Sequence, residues 1–277
     1  MPTMADIDPE IQFVLMKGEP GTRKSTAALS YPLPQYWFSF DMKMESLSLP
    51  MRHWGIDPNL IDYDDYSGNS AWNDALKRLD AFQLNRKSRA GDVKTIIADS
   101  VTSIGDGINR QTLNIKGGTT TSSGQEAGKR IAGIPVNTVE DFNAEMSAFQ
   151  TLISKLKDIH KFHKVNVILI AHILQTETKS LDGQTHMSRT LVTGGKKAAA
   201  KIPAYCTEIY HFNIESGAKV GSGGRYTLLT THTGDDFART ALPLDKLIYL
   251  DDNHLYDTHI KPAIAKLKVP YKPVVKL

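Results

Sequence analysis

Apolar runs of strand length recur along the chain, each closing on a polar residue. Ile11 to Met16 runs into Lys17-Gly18, Tyr36-Trp37-Phe38-Ser39-Phe40 into Asp41, Val93 to Ala98 into Asp99-Ser100, and Val165 to Ala171 into His172. β-Branched and aromatic runs bounded in this way read as buried strands. Residues 60–63 add a shorter one. Helical spacing marks 71–84, with Ala71, Trp72, Ala75, Leu76, Leu79 and Phe82 on one face and charge on the other. It marks 138–162 again, where Thr138 and Asp141 form a capping-box-like start and Phe142, Met146, Phe149, Leu152, Ile153, Leu156 and Ile159 make a core stripe. Further helices are expected at 24–30, 101–112 and 254–266. Residues 207–214 and 225–232 flank a glycine-rich connection at 216–224 and read as an antiparallel hairpin. A last short strand is expected at 247–250, then an extended tail at 268–277.

Strands alternating with helices predict an α/β fold: a mostly parallel twisted sheet, helices on both faces, and a C-terminal antiparallel hairpin. The 277 residues suffice for a full core, and no linker is evident, so a single domain is expected over 1–277, its core at about 11–250. Two long segments, 113–138 and 173–204, read as polar loops, and loops of that length tend to be functional. The first holds Lys116, Lys129 and Arg130. The second sets Lys179, Arg189, Lys196, Lys197 and Lys201 against Glu177 and Asp182, five minus two leaving +3. Two basic loops after neighbouring strands make a candidate nucleic-acid surface. The bulk charge says little: 33 Lys and Arg against 30 Asp and Glu give +3. Cys206 is the one cysteine, so no internal disulfide can form. No apolar run approaches a membrane span, and a cytoplasmic protein with no membrane partner is the expectation.

The chemistry concentrates in Gly18-Glu19-Pro20-Gly21-Thr22-Arg23-Lys24-Ser25-Thr26, between the first strand and the first helix. Strand, glycine turn, Lys-Ser and helix are the parts of a phosphate-cradling loop, whose backbone N–H groups converge on an anion. Lys24 is placed to reach the β- and γ-phosphates, and Ser25 to take one position on Mg²⁺. Arg23 departs from the pattern G-x-x-x-x-G-K-[ST], standing where its second glycine belongs. A left-handed backbone there costs an L-residue about 1–2 kcal/mol. A cation beside phosphates would offset that cost, but hydrolysis is put in doubt. Asp99, ending a β-branched strand, is the expected Mg²⁺-side carboxylate. His172, at another strand end, is either a γ-phosphate sensor or a structural histidine.

The order of these parts resembles the RecA-type ATPase core. Within that superfamily it is most similar to small phage-encoded AAA-domain nucleotide-binding proteins, which include single-strand annealing recombinases. Asp99-Ser100, Ile170-Ala171-His172 and Thr193-Gly194-Gly195-Lys196-Lys197 add to the likeness. The resemblance implies ATP with Mg²⁺, homo-oligomers (filament or ring) on single-stranded DNA, and strand annealing, possible alongside a single-stranded-DNA-binding protein. It matches 113–138 and 173–204 to DNA-binding loops. Arg239, Lys196, Lys197 or Lys201 is then the cation that completes a neighbour's site. The carboxylate that orients attacking water would fall at Lys43, so either flanking acid, Asp41 or Glu45, takes the role. Slow hydrolysis, with nucleotide as an assembly switch, is the alternative; a P-loop small-molecule kinase ranks below both.

Overall fold

A computed structural model describes residues 9–118, 130–131, 134–135, 139–179, 185–193, 196–215, 224–233, 236–250 and 254–268. In chain order the elements are β1 (Phe13–Gly18), α1 (Lys24–Leu29), β2 (Gln35–Ser39), α2 (Ser48–Trp54), β3 (Ile61–Asp65), α3 (Ala71–Leu84), β4 (Lys87–Ser88), β5 (Gly91–Asp92), β6 (Thr95–Asp99) and α4 (Val101–Gly118). There follow β7 (Arg130–Ile131), β8 (Ile134–Pro135), α5 (Val139–His163), β9 (Asn166–Lys179), β10 (Thr185–Leu191), α6 (Lys196–Tyr205), β11 (Glu208–Glu215), β12 (Arg225–Leu229), β13 (Leu247–Tyr249) and α7 (Lys261–Leu267).

The main sheet runs β13-β12-β11-β1-β9-β6-β2-β3, with β10 paired to β9 off that path. From β11 across to β3 every pairing is parallel, while β12, β13 and β10 run antiparallel to their neighbours. Alternation along β1 divides the core into two layers. Phe13 and Leu15 face a cluster built with Leu79 and Phe82 of α3, Ile104 of α4, Leu152 and Leu156 of α5, and Ile202 of α6. Val14 and Met16 face the opposite cluster, with Ala27 and Leu29 of α1 and Ile260 and Ile264 at the C-terminal helix. The parallel sheet, the helices on both faces and the terminal antiparallel pair are as expected from the strand and helix periodicities.

Several boundaries differ. Residues 113–118 continue α4 instead of beginning a loop. The segment 173–204 is largely ordered into the end of β9, β10 and α6. His172 therefore does not end its strand: β9 passes through it to Lys179. The pairing of Leu174 with Thr190 and Gln175 with Arg189 satisfies the backbone of what reads as a polar run. Residues 48–54, given no element by the apolar pattern, form α2. Most of the tail at 268–277, residues 1–8 and the connection 216–223 lie outside the described residues.

Candidate functional site

The phosphate-type loop leaves the C-terminal end of β1, where Gly18 is in register with His172 on β9 and Phe212 on β11. A Cβ at Gly18 would sit 2.4 Å from the carbonyl oxygen of Phe212, so this close approach requires glycine. Arg23 caps α1 with φ 63 and ψ 26, the left-handed conformation in which a glycine would be free of strain. Its side chain does not turn into the loop. The guanidinium lies 3.8 Å from the centre of the Tyr226 ring on β12, and this cation–π contact offsets part of the backbone cost.

Lys24 is buried and folds back into the loop. Its Nζ donates to the carbonyls of Gly18 at 2.9 Å and Glu19 at 2.7 Å, and to the Thr22 hydroxyl at 3.2 Å. Burial lowers its pKa to about 8, against the pull of Asp99, Asp41 and Glu19. A phosphate presents charged acceptors to the same ammonium, a stronger bond than neutral carbonyls provide. One residue on, Ser25 Oγ donates to Asp99 Oδ2 at 2.7 Å. Burial raises Asp99 to about 6; the Ser25 bond opposes the rise and the neighbouring Asp41 charge adds to it.

These residues fit a magnesium–triphosphate. The hydroxyl and carboxylate are hard oxygen donors, and a cation between them would relieve the cost of charging Asp99. Among the described residues no group of three or more His, Cys, Asp or Glu could hold a metal by itself. Magnesium commonly binds in this fashion, through one or two protein oxygens plus phosphates and water.

Asp41 stands just beyond β2, where the main-chain N–H of Phe40 donates to the Asp99 carbonyl at 2.7 Å. Its carboxylate accepts from Ser100 Oγ at 2.9 Å and from Ser103 Oγ, and lies 3.5 Å from His172 Nε2. Burial works against its charge, but the bonds from His172, Ser103 and Ser100 hold it down at about 2. His172 is further fixed by its own N–H, which donates to Thr102 Oγ1 at 3.3 Å. Among the described residues its buried Nδ1 has no hydrogen-bond partner. Thus Lys24 and Ser25 after β1, Asp41 after β2, Asp99 at the end of β6 and His172 within β9 come together at one end of the parallel sheet.

Other residues singled out in the sequence do not join them. Glu45 is exposed on a 3₁₀ turn, Met44–Leu47, with no contact to this group among the described residues. Arg239 bridges in the main chain to Ile209, near the start of β11 and so towards the opposite end of the sheet from Gly18. Its guanidinium donates to the carbonyls of Cys206 and Pro203, sealing the C-terminal end of α6. Within one chain it is a helix cap, and only a neighbouring copy could receive it as a catalytic cation. Arg189 on β10 is half-buried, paired to Asp236 and bonded to Gln175, so its charge already has a partner within the chain. Lys201 is exposed on α6. Lys116 lies in α4, Arg130 in β7, and Lys196 and Lys197 at the start of α6, but their side chains, like Lys129 as a whole, lie outside what the structure describes.

Sequence reasoning gave no contact role to Ser100, Thr102 and Ser103, whose spacing at the start of α4 is an ordinary cap pattern. It also missed a buried charged group behind the loop. Lys17 and His211 are opposite one another in β1 and β11, both buried, with Asp236 2.8 Å from His211 Nδ1 and joined to Arg189. Burial lowers Lys17 and His211, while Asp236 acts the other way on each. Two cavities of about 440 and 480 Å³ flank β3 instead; Asp64 and Asp65 line both, a poor match to polyphosphate.

Over residues 12–241 the sequence matches a family described as AAA domain. No curated protein matches the chain. Among solved structures it is similar to "Crystal structure of the RadB recombinase", at 10% identity and a TM-score of 0.43, over 86% of each chain.

Proposed function

Since this chain belongs to the AAA domain family, we propose that it is an ATP- and Mg²⁺-dependent ATPase acting on single-stranded DNA in recombination or annealing, of the phage-encoded type. The observation that carries the nucleotide part is the convergence of Lys24, the Ser25–Asp99 pair and the Asp41–His172 pair at one sheet end. Magnesium, when bound, neutralises charge on the phosphate oxygens. Lys24 exchanges its loop carbonyls for phosphate oxygens, and Ser25 with Asp99 holds the metal side. Asp41 is the carboxylate that orients the attacking water, in preference to exposed Glu45. A carboxylate held at about 2 is a weak base, so its contribution is positioning rather than proton removal. His172 senses the γ-phosphate through Asp41 and passes the signal along β9 into the β9–β10 hairpin.

For DNA, residues 113–138 and 173–204, with Lys201 on α6 among the latter, form the proposed surface. Lys196 and Lys197 belong either to it or to a neighbour's site. ATPase rate of the full chain, with and without an oligonucleotide, tests the reading: single strands should raise it, and Lys24→Ala should abolish it. Failure to bind single strands at low salt would remove the DNA claim and leave nucleotide binding intact.

A second reading, binding ATP as an assembly switch with slow turnover, is favoured by the left-handed Arg23 stacked on Tyr226. Arg23→Gly separates the two: a large gain in turnover supports a loop tuned against hydrolysis.

A further inference from the structure

We infer that Tyr226, with Arg23 laid on its ring, is the platform on which the base of the bound nucleoside triphosphate stacks. This rests on the nucleotide reading above and assigns the part of the ligand that the phosphate loop leaves unplaced.

Direction comes first. The metal-side and water-side groups, Asp99 on β6, Asp41 after β2 and His172 on β9, all lie to one side of β1 in the strand order. A triphosphate with its terminal phosphate on that side leaves the loop on the other, towards β11, β12 and β13. There β12 runs antiparallel to β11, so its first residues, Arg225 and Tyr226, stand at the loop end of the sheet, Tyr226 opposite Ile214.

Face comes next. Leu228 on β12 belongs to the layer that also holds Ala27 and Leu29 of α1, and Tyr226, two residues away, packs on the same layer. Tyr226 is therefore on the side of the sheet where the loop enters its helix. The neighbouring pair, Arg225 at 3.9 Å over Tyr249, alternates to the opposite side, since Ile248 and not Tyr249 packs into that layer.

Chemistry completes the case. A phenol ring with a guanidinium carbon 3.8 Å from its centre is a cationic, aromatic surface attached directly to the loop. Such surfaces take a nucleobase by stacking, with little regard to which base it is. The same contact explains an arginine in a glycine's place: the left-handed backbone of Arg23 brings its guanidinium back over β12.

The test is a calorimetric titration of the full chain in magnesium buffer with ATP and with inorganic tripolyphosphate, read as the ratio of the two affinities. Tyr226→Leu keeps apolar packing but has no ring, and should lower that ratio by roughly 5- to 100-fold, the worth of one base–aromatic stack. Tyr226→Trp should hold it within about 3-fold, because it keeps an aromatic face. Tripolyphosphate binding by the leucine variant also reports a folded loop. An unchanged ratio in Tyr226→Leu, or a wild-type chain that binds both ligands equally, overturns the platform and leaves phosphate binding standing. A wild-type chain that binds neither overturns the nucleotide reading as well.

Discussion

At the scale of single residues, the site sets two carboxylates in opposite states. Asp41 is held at about 2 by its donors, and Asp99 is raised to about 6 by burial. The signs follow from linkage. Asp99 has a folded pKa above its unfolded one, so its neutral form favours the fold below about 4, and that contribution is lost as pH rises through about 6. Asp41 has a depressed folded pKa, so its contribution is present above about 4 and lost as pH falls through about 2. Without nucleotide, Asp99→Asn should therefore stabilise the chain by about 1–3 kcal/mol at pH 8 and by little at pH 4, as thermal melts at the two pH values would reveal. The same variant should lose the extra stability that magnesium and ADP confer on the wild type. Asp41→Asn should cut kcat by roughly 100-fold or more with KM little moved, while Glu45→Gln stays within about 3-fold; steady-state kinetics distinguish them. The sequence left the choice between these two acids open. Both flank the same slot, and the contacts that set Asp41 apart come from Ser100, Ser103 and His172, remote in sequence.

At the scale of elements, β1 and its loop are constrained from both sides. Gly18→Ala would drive a methyl into the Phe212 carbonyl of β11, so a loss of about 1–3 kcal/mol or more is expected on denaturant titration, with nucleotide binding lost too. Arg23→Gly trades a strain of about 1–2 kcal/mol for a cation–π contact worth about 0.5–1 kcal/mol. Its stability should stay within about 1 kcal/mol of wild type, so a change in turnover would report on the site rather than on folding. Elements with a strong local signal were legible: the core stripe of α5, the β11–β12 pair either side of a glycine-rich connection, and the buried runs of β1 and β6. Those misread had weaker local signals. Residues 173–191 are mostly polar but carry β-branched threonines at 176, 178, 185 and 190 on either side of Asp182-Gly183, a dipeptide that favours hairpin turns. Residues 196–201, Lys-Lys-Ala-Ala-Ala-Lys, are strong helix formers. Charge counting in that stretch obscured both signals.

At the scale of the whole molecule, DNA affinity should depend on a few exposed cations rather than on the modest net charge. Binding of a short single-stranded oligonucleotide, followed by anisotropy, should fall steeply with added salt. Lys201→Ala should reduce that slope, whereas Arg189→Ala should chiefly lower stability, because it leaves Asp236 without its guanidinium beside buried His211 and Lys17. The sequence alone determined the alternation of strands and helices, the glycine-bearing loop between β1 and α1, and the carboxylate at the end of β6. Each is written in residues adjacent along the chain, where hydrophobic period and glycine dihedrals act locally. Tertiary structure decided the pairing of Asp41 with His172, the capping role of Arg239, the pairing of Arg189 with Asp236, and the turn of Arg23 towards Tyr226. Those depend on which strands become neighbours, and strand order follows from burying both faces of the sheet at once, a condition that no short window of sequence contains.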